Sequence, residues 1–126
     1  MPPEWSSAQF NRVVDQFKTD CPKEAWDDLL LRYSVLRARG PLCGPAVAKK
    51  LRAGDGIWEL VGHADNCQPR LLFYFSGASI VFVHAFIKKG KSDYRQAIAL
   101  AQARRRLIER KERIAYAIES LKSSIH

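Results

Sequence analysis

The sequence predicts an α+β fold in which an N-terminal helical hairpin is followed by a small antiparallel β-sheet and a long C-terminal helix. Apolar residues recur at helical spacing over the first 40 residues, three runs rich in aromatic and aliphatic residues follow between 57 and 87, and a helical pattern begins at 92. With 126 residues, of which 47% are hydrophobic, the chain has room for one ordinary core. We therefore expect a single domain, 1–126, with 107–126 as a helical extension.

The hairpin is predicted from two amphipathic segments. In the first, about 7–17, apolar side chains fall at i, i+3, i+4 and i+7, at Phe10, Val13, Val14 and Phe17. The second begins at Pro22, which suits the first turn of a helix, and ends at Gly40. Because only a short break separates the two, we expect an antiparallel pair, with no strand before it.

The sheet is predicted from the runs 57–61, 70–75 and 79–87. Strands joined by a tight turn or a short loop pair antiparallel as a rule. The preceding stretch, 40–56, is rich in glycine and proline and is expected to be mostly connection. A short helical turn at 46–51 is expected there, displaying its lysines, Lys49 and Lys50.

The C-terminal helix is expected from about Ser92 to about Leu121, with Ser92 and Asp93 at its cap. Three consecutive arginines, Arg104–Arg106, interrupt its apolar stripe. We expect the portion before them to pack on the sheet and the portion after them not to.

The charge of the chain indicates a polyanionic partner. The net charge is +8, and the segment 88–113 alone holds ten basic and three acidic residues. Nucleic acid, an acidic protein or an anionic membrane surface fits such an excess. The sequence has no apolar run near the roughly 20 residues of a membrane span and no N-terminal signal pattern, so a cytoplasmic location is expected and the membrane is the weakest option.

The three cysteines form no CxxC or CxxH pair. This spacing predicts neither a zinc site nor any other metal site, and it suits reduced thiols. A catalytic cysteine is the less favoured interpretation, because buried thiols usually act as small hydrophobic groups.

Alternation along the strands predicts which sheet face is chemical. Glu59, Arg70, Tyr74 and His84 are expected on one face, while the helical hairpin covers the other; Phe82 is expected on the same side as His84. Basic and polar residues follow the third strand at Lys88, Lys89, Lys91, Tyr94 and Arg95. An arginine, a tyrosine and a histidine rimmed by lysines suit RNA or phosphate.

Each feature also has a purely structural interpretation. His84 between two phenylalanines suits a core histidine, Glu59 suits a cross-strand pair with Arg70, and the lysines after the third strand suit a solvated turn. Arg104–Arg106 suit a solvated helix face.

Several ordered motifs resemble the HigB-like toxins of the RelE/ParE superfamily of type II toxin–antitoxin systems. They are Gly56-Ile57-Trp58-Glu59-Leu60, the run from Pro69 to Phe75, and His84-Ala85-Phe86-Ile87-Lys88-Lys89 before an alanine-rich helix. The resemblance covers about 22–106. It implies a RelE/ParE-like fold and a cytoplasmic toxin that uses no metal or other cofactor.

The resemblance also implies an activity, its partners and its site residues. The relatives cut mRNA, generally on the ribosome, and a cognate antitoxin, expected to be of helix-turn-helix type, masks them in a hetero-oligomer. The groups expected to act on the scissile phosphate are Arg70, Lys88, Lys89, Tyr94 and His84. Those expected to hold RNA are Lys49, Lys50, Lys91 and Arg95. Those expected to bind the antitoxin or another partner are Arg104, Arg105, Ile114 and Ile118. Under this interpretation Arg70→Ala relieves growth arrest and leaves the protein folded.

The sequence departs from the family pattern at Val61, where the relatives carry arginine, and at Ser92-Asp93, where they carry Thr-Pro. The loss of one cation bears on catalysis more than on the fold. Two other functions therefore remain open: a ParE-like toxin that binds gyrase, and a non-catalytic protein of the same fold that binds RNA or a partner through the basic helix Arg104–Arg113.

Overall fold

A computed structural model describes residues 4–15, 21–64, 67–88 and 91–125. Five strands form one sheet there, in the order β1-β5-β4-β3-β2. They are β1 (Ser6–Ala8), β2 (Ala48–Lys50), β3 (Trp58–Val61), β4 (Pro69–Ser76) and β5 (Ser79–Ile87). The helices are α1 (Phe10–Val14), α2 (Lys23–Arg39) and α3 (Lys91–Ile125), with two short 3-10 turns at Gly40–Leu42 and Arg52–Gly54.

The sheet separates two apolar clusters. On one face, Leu71 and Phe73 of β4 pack with residues of α1 and α2, such as Val13 and Leu29. On the other face, the intervening β4 residues pack with Ala97 and Ala101 of α3, together with Ile57. Because side chains alternate along a strand, the apolar run of β4 supplies both clusters, and the layers are helix, sheet, helix.

The predicted N-terminal helical hairpin is wrong, because the described chain begins with a strand. β1 pairs parallel with the start of β5, with Ser6 opposite Ser79, so the sheet is mixed. Backbone bonds from Trp5 N to Arg37 O (2.8 Å) and from Ser6 N to Ala78 O (3.2 Å) hold it in place. Three small residues carry no strand signal of their own, so these distant contacts decide the structure. Gln9, at φ +66°, then turns the chain into a helix of five residues, Phe10–Val14, where a helix over 7–17 was expected. Phe17 lies outside the described residues.

The prediction of a small sheet is also wrong, because a fifth strand replaces the expected helical turn at 46–51. β2 pairs antiparallel with β3, and Lys49 lies opposite Glu59. A backbone bond from Leu51 N to Ile57 O (2.9 Å) closes the connection between the two strands. The backbone N–H and C=O groups at the edge of β3 pair with β2, and a helical turn at 46–51 would have left them without these partners. The exposed lysines of β2 also discourage pairing with another sheet.

A β-bulge changes which residues of β5 share a face. Leu72 pairs with His84, but the next residue, Phe73, pairs with Phe82, so Val83 is the extra residue. Phe82 consequently packs in the cluster under α1 and α2, while His84 stays on the α3 side. The expectation that Phe82 and His84 share a face is therefore wrong, because strict alternation does not survive a bulge.

The other helices agree with the sequence pattern. α2 ends at Gly40, where φ is +58° and a Cβ would lie 2.3 Å from the indole nitrogen of Trp5. α3 is one helix of 35 residues, about 52 Å long. Its early residues pack on the sheet as far as Ile108, and every residue from Arg110 to Lys122 is exposed, as predicted. In the described part of the chain, no helix is both long and apolar enough to cross a membrane.

Candidate functional site

A buried ion pair lies between β3 and β4 on the face that α3 covers. Arg70 Nη1 donates to Glu59 Oε1 at 2.9 Å, and the two residues are 8% and 0% exposed. They are diagonal neighbours, since Arg70 lies opposite Val61 and Glu59 lies opposite Leu72. The cross-strand pairing considered from the sequence is confirmed. Removing either residue would leave the other as an unpaired buried charge, which would destabilise the fold.

Tyr94, from the first turns of α3, packs against this pair. Its hydroxyl accepts a hydrogen bond from Arg70 Nη1. Two cations lie close to its ring, with Arg70 Cζ at 5.1 Å and Lys88 Nζ at 4.7 Å from the centroid. Burial, followed by Glu59, raises the pKa of Tyr94 above its ordinary value. The phenol therefore stays protonated near neutral pH and is suited to donate a proton rather than to accept one.

The cluster reaches solvent along one rim. Arg70 Nη2 donates to Gln68 Oε1 at 3.0 Å, and the side chains of Gln68 and Lys88 are exposed. An ammonium and a guanidinium are both donors that suit a phosphate oxygen. Gln68 was not predicted, although its i, i+2 spacing from Arg70 in an extended segment is a signal that was available.

His84 belongs to a neighbouring group. Its Nδ1 lies 3.2 Å from Arg104 Nη1, and its ring stacks on Phe86 at 5.7 Å, which in turn contacts Tyr94 edge-on at 5.7 Å. Burial, and then the charge of Arg104, lower the pKa of His84 to about 4. The imidazole is therefore neutral at pH 7, and its Nδ1 serves as an acceptor. Phe86 stands between His84 and Tyr94, so the structure does not bring His84 into contact with Arg70.

The two arginines expected to bind a partner are engaged inside the fold. Arg104 Nη1 donates to the Val83 carbonyl at 2.7 Å as well as facing His84. Arg105 lies over the Tyr74 ring, 4.6 Å from its centroid, and its Nε donates to Glu109 at 2.8 Å. Ile114 and Ile118 are exposed, as a partner-binding role requires.

The expected RNA-binding residues lie in two places. Lys49 and Lys50 are exposed on β2, two strands away from Arg70, which corresponds to about 10 Å across the sheet. Arg95 is exposed beside Tyr94 on α3. Lys89 and the side chain of Lys91 lie outside the described residues, so their expected roles stay predictions.

No group of three His, Cys, Asp or Glu side chains suited to a metal ion occurs in the described part of the chain. The three cysteines are free thiols. Burial and the neighbouring Cys67 raise the pKa of Cys21 to about 11, so this thiol is a poor nucleophile at neutral pH.

Comparison with known proteins places the chain in a family. No curated protein and no solved structure matches the chain significantly. The sequence profile described as "Phage derived protein Gp49-like (DUF891)" matches residues 17–106, which is most of the chain and includes Glu59, Arg70, Lys88 and Tyr94. That family is associated with toxins of toxin–antitoxin systems, which implies an antitoxin partner. The chain therefore belongs to the phage-derived Gp49-like family, a family of the toxin–antitoxin type.

Proposed function

We propose that this protein is a HigB-like toxin that cleaves mRNA on the ribosome without a metal ion. Arg70, Lys88 and Tyr94 are the groups that contact the scissile phosphate in this proposal. The observation that supports it best is the position of Tyr94, whose ring lies close to both Lys88 and Arg70 and whose hydroxyl contacts the guanidinium.

The chemistry follows from what these groups can supply. When a ribose 2′-hydroxyl attacks the adjacent phosphate, negative charge grows on the phosphoryl oxygens and on the leaving 5′-oxygen. Lys88 and the Nη2 side of Arg70 stabilise the phosphoryl charge, and the protonated Tyr94 donates to the leaving oxygen. The proton of the attacking 2′-hydroxyl passes to solvent water, and the Tyr94 phenolate regains a proton from water after the step. The products of this reaction are a 2′,3′-cyclic phosphate and a 5′-hydroxyl.

The burial of Arg70 sets a condition on binding. Only 8% of this residue is exposed, and Gln68 occupies its outer side. Substrate must therefore displace Gln68 from Nη2, while the bond to Glu59 keeps the guanidinium in place. Lys88, which is exposed, makes the first contact. The net charge of +8 supports a substrate held within a large RNA assembly, since phosphate contacts supply much of the affinity for nucleic acid.

The proposal is tested with purified protein and ribosomes programmed with a short mRNA. Lys88→Ala is expected to reduce single-turnover cleavage by about a hundredfold, the typical effect of losing one group that stabilises the transition state. Its free energy of unfolding should change by less than about 0.5 kcal/mol, because the side chain is exposed. Arg39→Ala, an exposed cation at the end of α2, is the matched control and should cleave like the wild type. Cleavage by Lys88→Ala at the wild-type rate would contradict the proposal.

Tyr94→Phe removes the phenolic hydroxyl, together with its hydrogen bond to Arg70, and keeps the ring beside both cations. We expect cleavage to fall by roughly 10²- to 10⁴-fold, the range for a general acid. The loss should shrink when the leaving 5′-oxygen is replaced by sulfur, which needs no protonation. An equal loss with both substrates would assign Tyr94 to positioning and not to acid catalysis.

One observation favours a second candidate, a ParE-like toxin that binds gyrase. Glu59 neutralises the strand arginine in a buried pair, as suits an arginine that supports the fold rather than a phosphate. Induction of such a toxin would trigger a DNA-damage response before translation stops, and RNA would stay intact. Translation arrest with cleaved mRNA would exclude this candidate.

A further inference from the structure

The exposed end of α3 carries an apolar stripe. Four of its side chains are between 47% and 64% exposed. Their sequence spacings are seven, four and three residues, which places them within about 60° of one another around the helix. They are Leu107, Ile114, Ile118 and Leu121. The stripe begins just beyond residue 106, where the match to the family ends, so it is a feature of this chain outside the matched region.

The charges beside this stripe have one sign. Arg110, Lys111 and Lys122 lie within about 70° of its centre, by their positions on the helix. The acidic residues of the same stretch, Glu109, Glu112 and Glu119, lie more than about 120° away. Two of these carboxylates are engaged on the helix itself, Glu109 with Arg105 at 2.8 Å and Glu119 with Lys122 at 3.8 Å. The stripe is therefore apolar at its centre and basic along both sides.

The stripe continues into a groove between α1 and α3. The groove has a volume of about 430 Å³ and an apolar floor that includes Val13 and Phe82. Arg12 of α1 lines one side. Leu107 belongs to both the groove and the stripe, and Lys111, which lies beside the stripe, also lines the groove. One carboxylate, Glu112, also lines it. A single binding surface thus runs from the folded body along the projecting helix.

We propose that this surface binds an acidic amphipathic helix of a partner protein. Apolar residues of that helix at i, i+4 and i+7 would pack on the stripe, as in other helix-in-groove complexes. Its flanking glutamates or aspartates would face Arg110, Lys111 and Arg12. A second copy of this chain fits less well, because two copies would bring the same basic flanks together. The identification of this partner as the antitoxin rests on the proposed function. The expectation of an acidic amphipathic helix rests only on the surface itself.

Two synthetic helices of about three heptads each test the proposal. Both carry the same leucine stripe, flanked by glutamate in one and by lysine in the other. Titrated into the full chain by calorimetry, the acidic peptide should bind at least about tenfold more tightly, equivalent to 1.4 kcal/mol. Ile114→Ser/Ile118→Ser should abolish binding without loss of helical circular dichroism, because both side chains are exposed.

Reversing two charges beside the stripe tests the electrostatic part of the proposal directly. Arg110→Glu/Lys111→Glu should reverse the preference between the two peptides. Arg106→Glu/Arg113→Glu makes the same change in charge about 90° or more from the stripe centre and should leave the preference unchanged.

Equal affinities for the two peptides, or no binding of either, would overturn the proposal. So would sedimentation showing that the chain dimerises through the stripe, since that makes a second copy the occupant. The assay contains no RNA, so its failure leaves the nuclease proposal standing, and failure of Lys88→Ala to affect cleavage leaves this one standing.

Discussion

Breaking the Glu59–Arg70 pair from either side should destabilise the protein strongly. Arg70→Ala leaves the Glu59 carboxylate, which is 0% exposed, without its cation. Removing one partner of a buried pair costs about 3–5 kcal/mol, and at roughly 4 °C per kcal/mol the Tm should fall by about 12–20 °C. The expectation that Arg70→Ala relieves toxicity while the protein stays folded therefore needs a stability control.

A double variant separates stability from chemistry. Glu59 Oε2 and Arg70 Nε have no hydrogen-bond partner in the described part of the chain. Hydrogen bonds therefore do not fully offset the cost of removing this pair from water. Glu59→Leu/Arg70→Met should recover most of the lost stability, within about 1 kcal/mol of wild type, because apolar residues of similar volume often replace a buried pair without loss. Urea unfolding of the wild type, both single variants and the double variant gives the coupling energy.

A double variant as unstable as the sum of the singles would refute this reasoning. A stable double variant that cannot cleave RNA would assign Arg70 a role in the reaction beyond its role in the fold.

Two further predictions concern stability. Gly40→Ala should lower the free energy of unfolding, measured with urea, by about 1–3 kcal/mol more than Gly77→Ala does. Both glycines have φ +58°, but only at Gly40 would a Cβ meet the Trp5 indole. Equal losses of stability would contradict this contact. The pKa of His84 is depressed to about 4, so the unfolded chain binds more protons between about pH 4 and 6.5, and stability should fall as the pH is lowered through that window. His84→Asn should flatten that part of the pH profile, and an unchanged slope would contradict the burial of a neutral imidazole.

The sequence was sufficient for elements whose own residues determine them. α2 has a proline start, a helical stripe and a glycine end, and β5 is a long apolar run after a tight turn, so both were predicted within a residue or two. β1 and β2 were missed because each is three residues long and exists through pairing with a distant strand. The bulge at Val83 was missed because the run 80–83 is apolar at every position, so the extra residue does not change the hydrophobic pattern.

The same distinction applies to the site. Alternation placed Glu59, Arg70, Tyr74 and His84 on one face, and the structure shows all four on the side that α3 covers. The sequence did not show that Tyr94 would close over Arg70 or that Arg104 would face His84. Both contacts depend on how α3 crosses the sheet, which helical periodicity does not determine.

The most direct test of the proposed cleavage is to map RNA ends in cells soon after the chain is induced without its antitoxin. The account predicts new 5′-hydroxyl ends within the coding regions of mRNA, absent when Lys88→Ala is induced to the same protein level. Growth arrest with intact mRNA and a DNA-damage response would contradict it.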